Sequence, residues 1–161
     1  MGSANGDRGN EHDQLISIAH AHTIHVSIIV ERGEPLDYPH YRHTALWLHY
    51  SGDSSAIQAH VVGPIGEFIF DCKAVSDPSE NRLLAEVVEV GDLVRAAKLS
   101  QIVQVLGAVP IQNRDREFNC QTWVELALRS LKEQGYLTDE AYSKGLDGMV
   151  DAIFAAEDEE P

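Results

Sequence analysis

Cysteine is scarce in this chain, and so is positive charge. Two cysteines, Cys72 and Cys120, stand among 161 residues. Two are too few for a disulfide framework, and no Cys-x-x-Cys pair occurs. Twelve Lys and Arg stand against 26 Asp and Glu, a net charge of −14. That imbalance argues against nucleic acid and anionic membrane surfaces as general partners, because both are held by basic patches. No apolar run approaches the roughly 20 residues of a transmembrane helix. No secretory signal is visible, and Gly6 stands where a myristoylation pattern needs Ser or Thr. The expectation is a reduced, cytoplasmic protein with no stable membrane anchor. Internal repeats are absent too.

What is present suits one domain. The apolar fraction of 43% is ordinary for a globular chain. Residues 1–14 lack periodicity and read as a disordered lead-in. Residues 157–161 read as a solvated, frayed acidic tail. Between them, 15–156 read as a single α+β domain, an antiparallel sheet packed against helices.

The apolar positions of 15–30 predict strand, in one or two pieces, with a turn at Glu31–Pro35. His43–Tyr50 alternates as a strand, Ser51–Ser55 is hairpin turn chemistry, and Ala56–Val62 is the return strand. Glu67–Val75 reads as a further strand. Leu83–Val90 reads as strand from its β-branched residues. Leu93–Leu106 is expected to be an amphipathic helix. A second helix should run from Cys120 to about Gln134, with Gly135 just past its end. A third should open at Thr138-Asp139-Glu140 and reach about Ala156, weakened by Gly145 and Gly148.

The chemistry gathers at Phe118-Asn119-Cys120-Gln121-Thr122-Trp123-Val124. Asn119 reads as an N-cap, which places Cys120 in the first helical turn. Unpaired N–H groups and the positive end of the helix dipole favour a thiolate there. The other reading of Cys120 is a small buried apolar residue. A nucleophile needs a base and a group to orient it, and His43 and His60 are the candidates. Their cooperation depends on register. If the hairpin loop is Ser51 to Ser54, Tyr50 pairs with Ser55 and His60 lies opposite Ala45, on the face of His43. A loop one residue longer puts the histidines on opposite faces. The Cys120 N–H, helped by the Gln121 side chain, would stabilise an oxyanion. Trp47 and Trp123 read as core packing first and pocket wall second.

His43-x-Ala45-x-Trp47, Ala59-His60-x-x-Gly63-Pro64 and Asn119-Cys120-x-x-Trp123-Val124, in that order, resemble the NlpC/P60 superfamily. They are most similar to its circularly permuted, papain-like branch, the lecithin:retinol acyltransferase-like proteins. The Cys120 helix also resembles uncharacterised fungal proteins with Asn-Cys-Gln-x-Trp-Val. The resemblance implies Cys120 as nucleophile, His43 as general base and His60 as orienting residue. Gln121 and Thr122 stand where the acyltransferases carry Glu and His, and no membrane anchor follows the last helix. Those departures point away from phospholipid or retinyl-ester chemistry and leave amide, ester or thioester chemistry open.

The expected activity is therefore a cysteine hydrolase or acyltransferase with a Cys-His-His triad, acting on a small molecule or peptide. Two alternatives stay open: a non-catalytic binding module on the same fold, and an isopeptidase for a ubiquitin-like modifier. His20, His22 and His25 have no carboxylate or cysteine at matching spacing, so no metal is expected. No cofactor is expected. Cys72 reads as core, with Asp71 pointing to the opposite face, and Glu86, Glu89 and Asp92 as a solvated face. No pattern sets an oligomeric state.

Overall fold

Strand register decides how this molecule is put together, and the hairpin turn decides the register. In the computed structural model, which describes residues 23–158, Asp53 accepts the Ser55 N–H at 2.9 Å and Ser54 takes a left-handed φ of 60°. That Asx-type turn closes the loop. Tyr50 N–H then donates to Ser55 O at 2.7 Å, and Leu46, Trp47, Leu48 and His49 face Ala59, Gln58, Ile57 and Ala56. This is the register in which His43 and His60 share a face.

The strands are β1 (Ile24–Glu31), β2 (His43–Tyr50), β3 (Ala56–Val62), β4 (Ile69–Ala74) and β5 (Leu84–Asp92). They form one antiparallel sheet in the order β4-β3-β2-β1-β5. Three helices follow the described strands: α1 (Leu99–Gly107), α2 (Cys120–Glu133) and α3 (Asp139–Phe154). The architecture is α+β.

One sheet face carries Val26, Ile28, Val30, Leu46, Leu48 and Val61. These join Ile102, Leu106, Trp123, Leu128 and Leu131 of the helices in one core. Each fully buried aliphatic side chain there contributes about 1.5–3 kcal/mol. The opposite face is covered differently. β4 and β5 lie on opposite edges, so the chain between them must cross the sheet. Trp47 Nε1 donates to Val75 O at 2.8 Å. Residues 75–81 roof Ile29 and Gln58, leaving a pocket of about 380 Å³ beneath.

One helix expectation needs correction, and another gains a reason. Leu93–Leu106 was expected to be helical throughout, but the helix begins only at Leu99. Leu93 N–H donates to Ile24 O at 2.8 Å and Val94 N–H to Tyr136 O at 2.9 Å. Those bonds extend the strand's pairing and hold 93–98 out of the helix, which starts where Gln101 caps Lys98 N–H at 2.9 Å. In α3, Gly145 and Gly148 lower helix propensity as expected, but close packing accounts for both. A Cβ at Gly148 would lie 2.6 Å from Val88 Cγ1, and one at Gly145 3.0 Å from Val90 Cγ2. They are the flat strip by which the helix approaches β5.

The acidic tail also differs from expectation where it is described. Asp37 N–H donates to Asp158 Oδ2 at 2.8 Å, and Glu157 N–H to Asp37 Oδ2 at 3.2 Å. Among the described residues no helix is long and apolar enough to cross a membrane.

Candidate active site

Asn119 caps α2 as its chemistry suggests. Its Oδ1 accepts the N–H groups of Gln121 at 2.9 Å and Thr122 at 3.1 Å, while its own N–H donates to Thr122 Oγ1 at 3.3 Å. The Cys120 N–H stands outside this cap. Phe118, 1% exposed and edge-on to Phe68, anchors the chain just before the cap. Cys120 therefore opens the helix half-buried, with its thiol directed to Arg42 O at 3.9 Å.

Arg42 is held firmly. Its Nε and Nη2 donate to the two carboxylate oxygens of Asp37 at 2.9 and 2.7 Å, and its Nη1 donates to Ala152 O at 2.7 Å. Both side chains are buried. The hydrogen bonds from Arg42 drive the Asp37 carboxyl far below the ordinary carboxylate range against its desolvation. Such a bidentate pair fixes geometry as well as charge. It fixes the start of β2, where His43 stands.

Beyond Leu46 and Ala59 the β2–β3 ladder stops, and side chains take over. His43 Nε2 lies 2.8 Å from His60 Nδ1, with the rings edge-on at a centroid distance of 5.0 Å. His60 Nε2 lies 2.9 Å from Asp71 Oδ2, its cross-strand neighbour on β4. Direction follows from chemistry. A carboxylate only accepts, so His60 Nε2–H donates to Asp71 and its Nδ1 accepts. His43 Nε2–H then donates to His60. The lone pair of His43 is left on Nδ1, the nitrogen available to the thiol.

Opposing influences set the Cys120 thiol. Burial pushes its pKa up. The hydrogen bond with His43, the charge of that ring, and then the Thr44 N–H and hydroxyl push it down. The lowering influences win. Cys72 is the contrast: burial and the adjacent Asp71 charge push its thiol up.

The structure brings Cys120, His43 and His60 together and adds Asp71, which the sequence reading set aside. Asp71 was judged only against Cys72, its neighbour in the chain. The pairing that matters crosses the Gly63–Phe68 loop, whose length gives no unique register. Gln121 has another job than the oxyanion donor expected of it. Its Nε2 donates to Pro39 O at 2.9 Å and Arg42 O at 3.1 Å, so both amide hydrogens hold the turn before His43. Trp123 is fully buried against Phe70, which fits core packing, and Trp47 lies on the roofed face, its Nε1 donating to Val75 O. A pocket of about 500 Å³ opens beside the first turn of α2, lined by Pro39, Gln121, Thr122, Met149, Ile153 and Phe154 among others, but not by Cys120.

Of His20, His22 and His25, only His25 is described. His20 and His22 lie outside the described residues. His25 bonds Asp92 Oδ1 through Nδ1 at 2.7 Å and Glu89 through Nε2. Glu89 and Asp92 are thus partners of a strand histidine rather than a purely solvated face.

A protein-family model described as a family of unknown function, DUF6540, matches residues 27–138. No curated protein and no solved structure matches the chain.

Proposed function

The chain belongs to the DUF6540 family, whose function is unknown, and on that premise we propose that it is a thiol-dependent hydrolase or acyltransferase working through an acyl-enzyme at Cys120. The observation that carries this reading is the one-way series of hydrogen bonds from His43 through His60 to Asp71. It leaves a base nitrogen on the ring that lowers the Cys120 thiol. A thiol merely packed in a core needs no such arrangement.

The chemistry runs in two steps. His43 Nδ1 takes the thiol proton, and the sulfur attacks an acyl carbonyl. The Cys120 N–H, at the positive end of α2, is placed to receive the developing oxyanion. Collapse breaks the bond to the leaving group, which departs with the proton from His43. Water, or another acceptor, then gives its proton to His43 and attacks the thioester, releasing the acyl product and the thiol. Positive charge on His43 during each step is spread toward His60 and Asp71.

We read the fold as papain-like, of the permuted NlpC/P60 kind, because two strand histidines precede the cysteine helix in the chain. A cytoplasmic location and a small-molecule or peptide substrate are part of the same proposal. They rest on the acidic charge and on thiol chemistry that needs a reducing compartment.

Intact-mass measurement tests it. Incubation with a panel of activated esters, thioesters and amides should add one acyl mass to the protein, absent in Cys120→Ser and strongly reduced in His43→Ala. Absence of any adduct across the panel, with Cys120 still accessible to alkylation, would favour a non-catalytic binding module.

A further inference from the structure

Thr44 stands next to His43, yet the relay just described does not use it. Its side chain is fully buried, and its hydroxyl is one of the buried polar groups without a hydrogen-bond partner among the described residues. An orphaned buried hydroxyl is unfavourable, and native proteins rarely keep one without a reason.

The backbone gives that reason. In an antiparallel strand, alternate residues turn both N–H and C=O to the same neighbour. Tyr50 N–H bonds Ser55 on the β3 side. By alternation Leu48, Leu46 and Thr44 point their N–H groups the same way. The β2–β3 ladder ends at Leu46–Ala59, so the Thr44 N–H projects beyond the last rung, into the fork between the strands. The Cys120 sulfur occupies that region, directed to the carbonyl of Arg42 two residues away. The Thr44 N–H and hydroxyl both reach toward it and favour its charged form. In the resting thiol the hydroxyl closes no hydrogen bond. A thiolate, with full negative charge and open lone pairs, gives it one.

We propose that Thr44 is a further catalytic residue, a paired backbone and hydroxyl donor that holds the Cys120 thiolate before attack on the acyl carbonyl. The proposal rests on the reading of Cys120 as the nucleophile. Thr44 acts on the sulfur itself, His43 on the proton, and the Cys120 N–H on the carbonyl oxygen. The hydroxyl transfers no proton. It rotates from an unpaired state to a charge-assisted bond as the thiolate forms.

Thr44→Val is the informative variant, since it keeps the shape and removes only the hydroxyl. Thr44→Ser keeps the hydroxyl. Both are compared with His43→Ala in a Cys72→Ser background, measuring the pH dependence of Cys120 alkylation by iodoacetamide. The expected result is that Thr44→Val shifts the profile to higher pH and slows alkylation near neutrality about three- to tenfold. Thr44→Ser should stay within twofold, and the unfolding midpoint of Thr44→Val should be equal to or above that of the parent. A Thr44→Val profile superimposed on the parent, with the His43→Ala shift intact, would overturn the role of Thr44 alone. A parent protein whose Cys120 reacts no faster folded than unfolded would overturn the nucleophile reading beneath it.

Discussion

Asp71 sets the direction of each hydrogen bond between itself and His43, because a carboxylate has no proton to donate. An asparagine there would remove that constraint. Its amide can donate to His60 Nε2, which allows the other tautomer, and the reversed series would put a proton on His43 Nδ1, where the base must be bare. Asp71→Asn should therefore slow Cys120 alkylation near neutral pH by about tenfold, less than the roughly hundredfold or more expected for loss of the base itself, because Asp71 acts through His60 and is half exposed. An unchanged rate in a kinetic alkylation measurement would show that the tautomer is set elsewhere. Residues at this scale were legible only where a short turn fixed the register. Ser51–Ser54 placed His60 opposite Ala45, on the face of His43. Gly63–Phe68 offers no comparable constraint, so Asp71 stayed hidden beside Cys72. Gln121 was legible as a neighbour of the nucleophile, but its bonds to Pro39 and Arg42 depend on a loop whose path the sequence does not define.

Elements meet most closely where α3 crosses β5. Gly148→Ala would place a methyl 2.6 Å from Val88 Cγ1. Overpacking there should cost about 1–3 kcal/mol, partly offset by about 1 kcal/mol of better helix propensity. A urea titration should show net destabilisation, and a higher midpoint would mean that the helix can back away from the strand. The opposite ends of β1 and β5 are joined by His25 with Glu89 and Asp92. Burial opposes the charge on this ring, but the carboxylate bonds outweigh it and raise its pKa above 6.5. A raised folded pKa means that the contribution is complete below the unfolded value of about 6.5 and disappears as pH rises through the folded value. The stability difference between the parent and His25→Gln should shrink as pH rises above 6.5, followed by urea midpoints; a difference that grows with pH would contradict it. β2 and β3 were legible to the residue because alternation and turn chemistry agree. The start of α1 was not, because Leu93 and Val94 have helical periodicity, while their N–H groups are claimed by Ile24 and Tyr136 across the fold.

At the scale of the molecule, one buried ion pair ties the end of α3 and the chain just after it to the loop that leads into the site. Asp37 holds the Gly33 N–H at 2.8 Å, the Arg42 guanidinium and the backbone at Glu157, while Arg42 reaches Ala152. Asp37→Asn would leave a buried guanidinium without its counter-charge, and should destabilise the fold by about 3–5 kcal/mol. Because the Asp37 carboxyl is lowered in the fold, its contribution is present above the unfolded value of 3.8 and is lost as pH falls toward the folded one. Acid unfolding of Asp37→Asn should accordingly be less steep than that of the parent, and an equally steep transition would place the acid sensitivity elsewhere. The α+β class was legible from the order of strand and helix patterns, whereas the tie between Asp37 and the acidic tail was not, since 120 residues separate Asp37 from Glu157. The central claim is that Cys120 and His43 form an activated pair, and thiolate ultraviolet absorbance against pH tests it most directly, taking Cys120→Ser as the blank. The account predicts that the Cys120 thiolate forms below the ordinary value of about 8.5 and that His43→Ala moves its formation back to that value or above. Thiolate appearing only above the ordinary value in both proteins would contradict it.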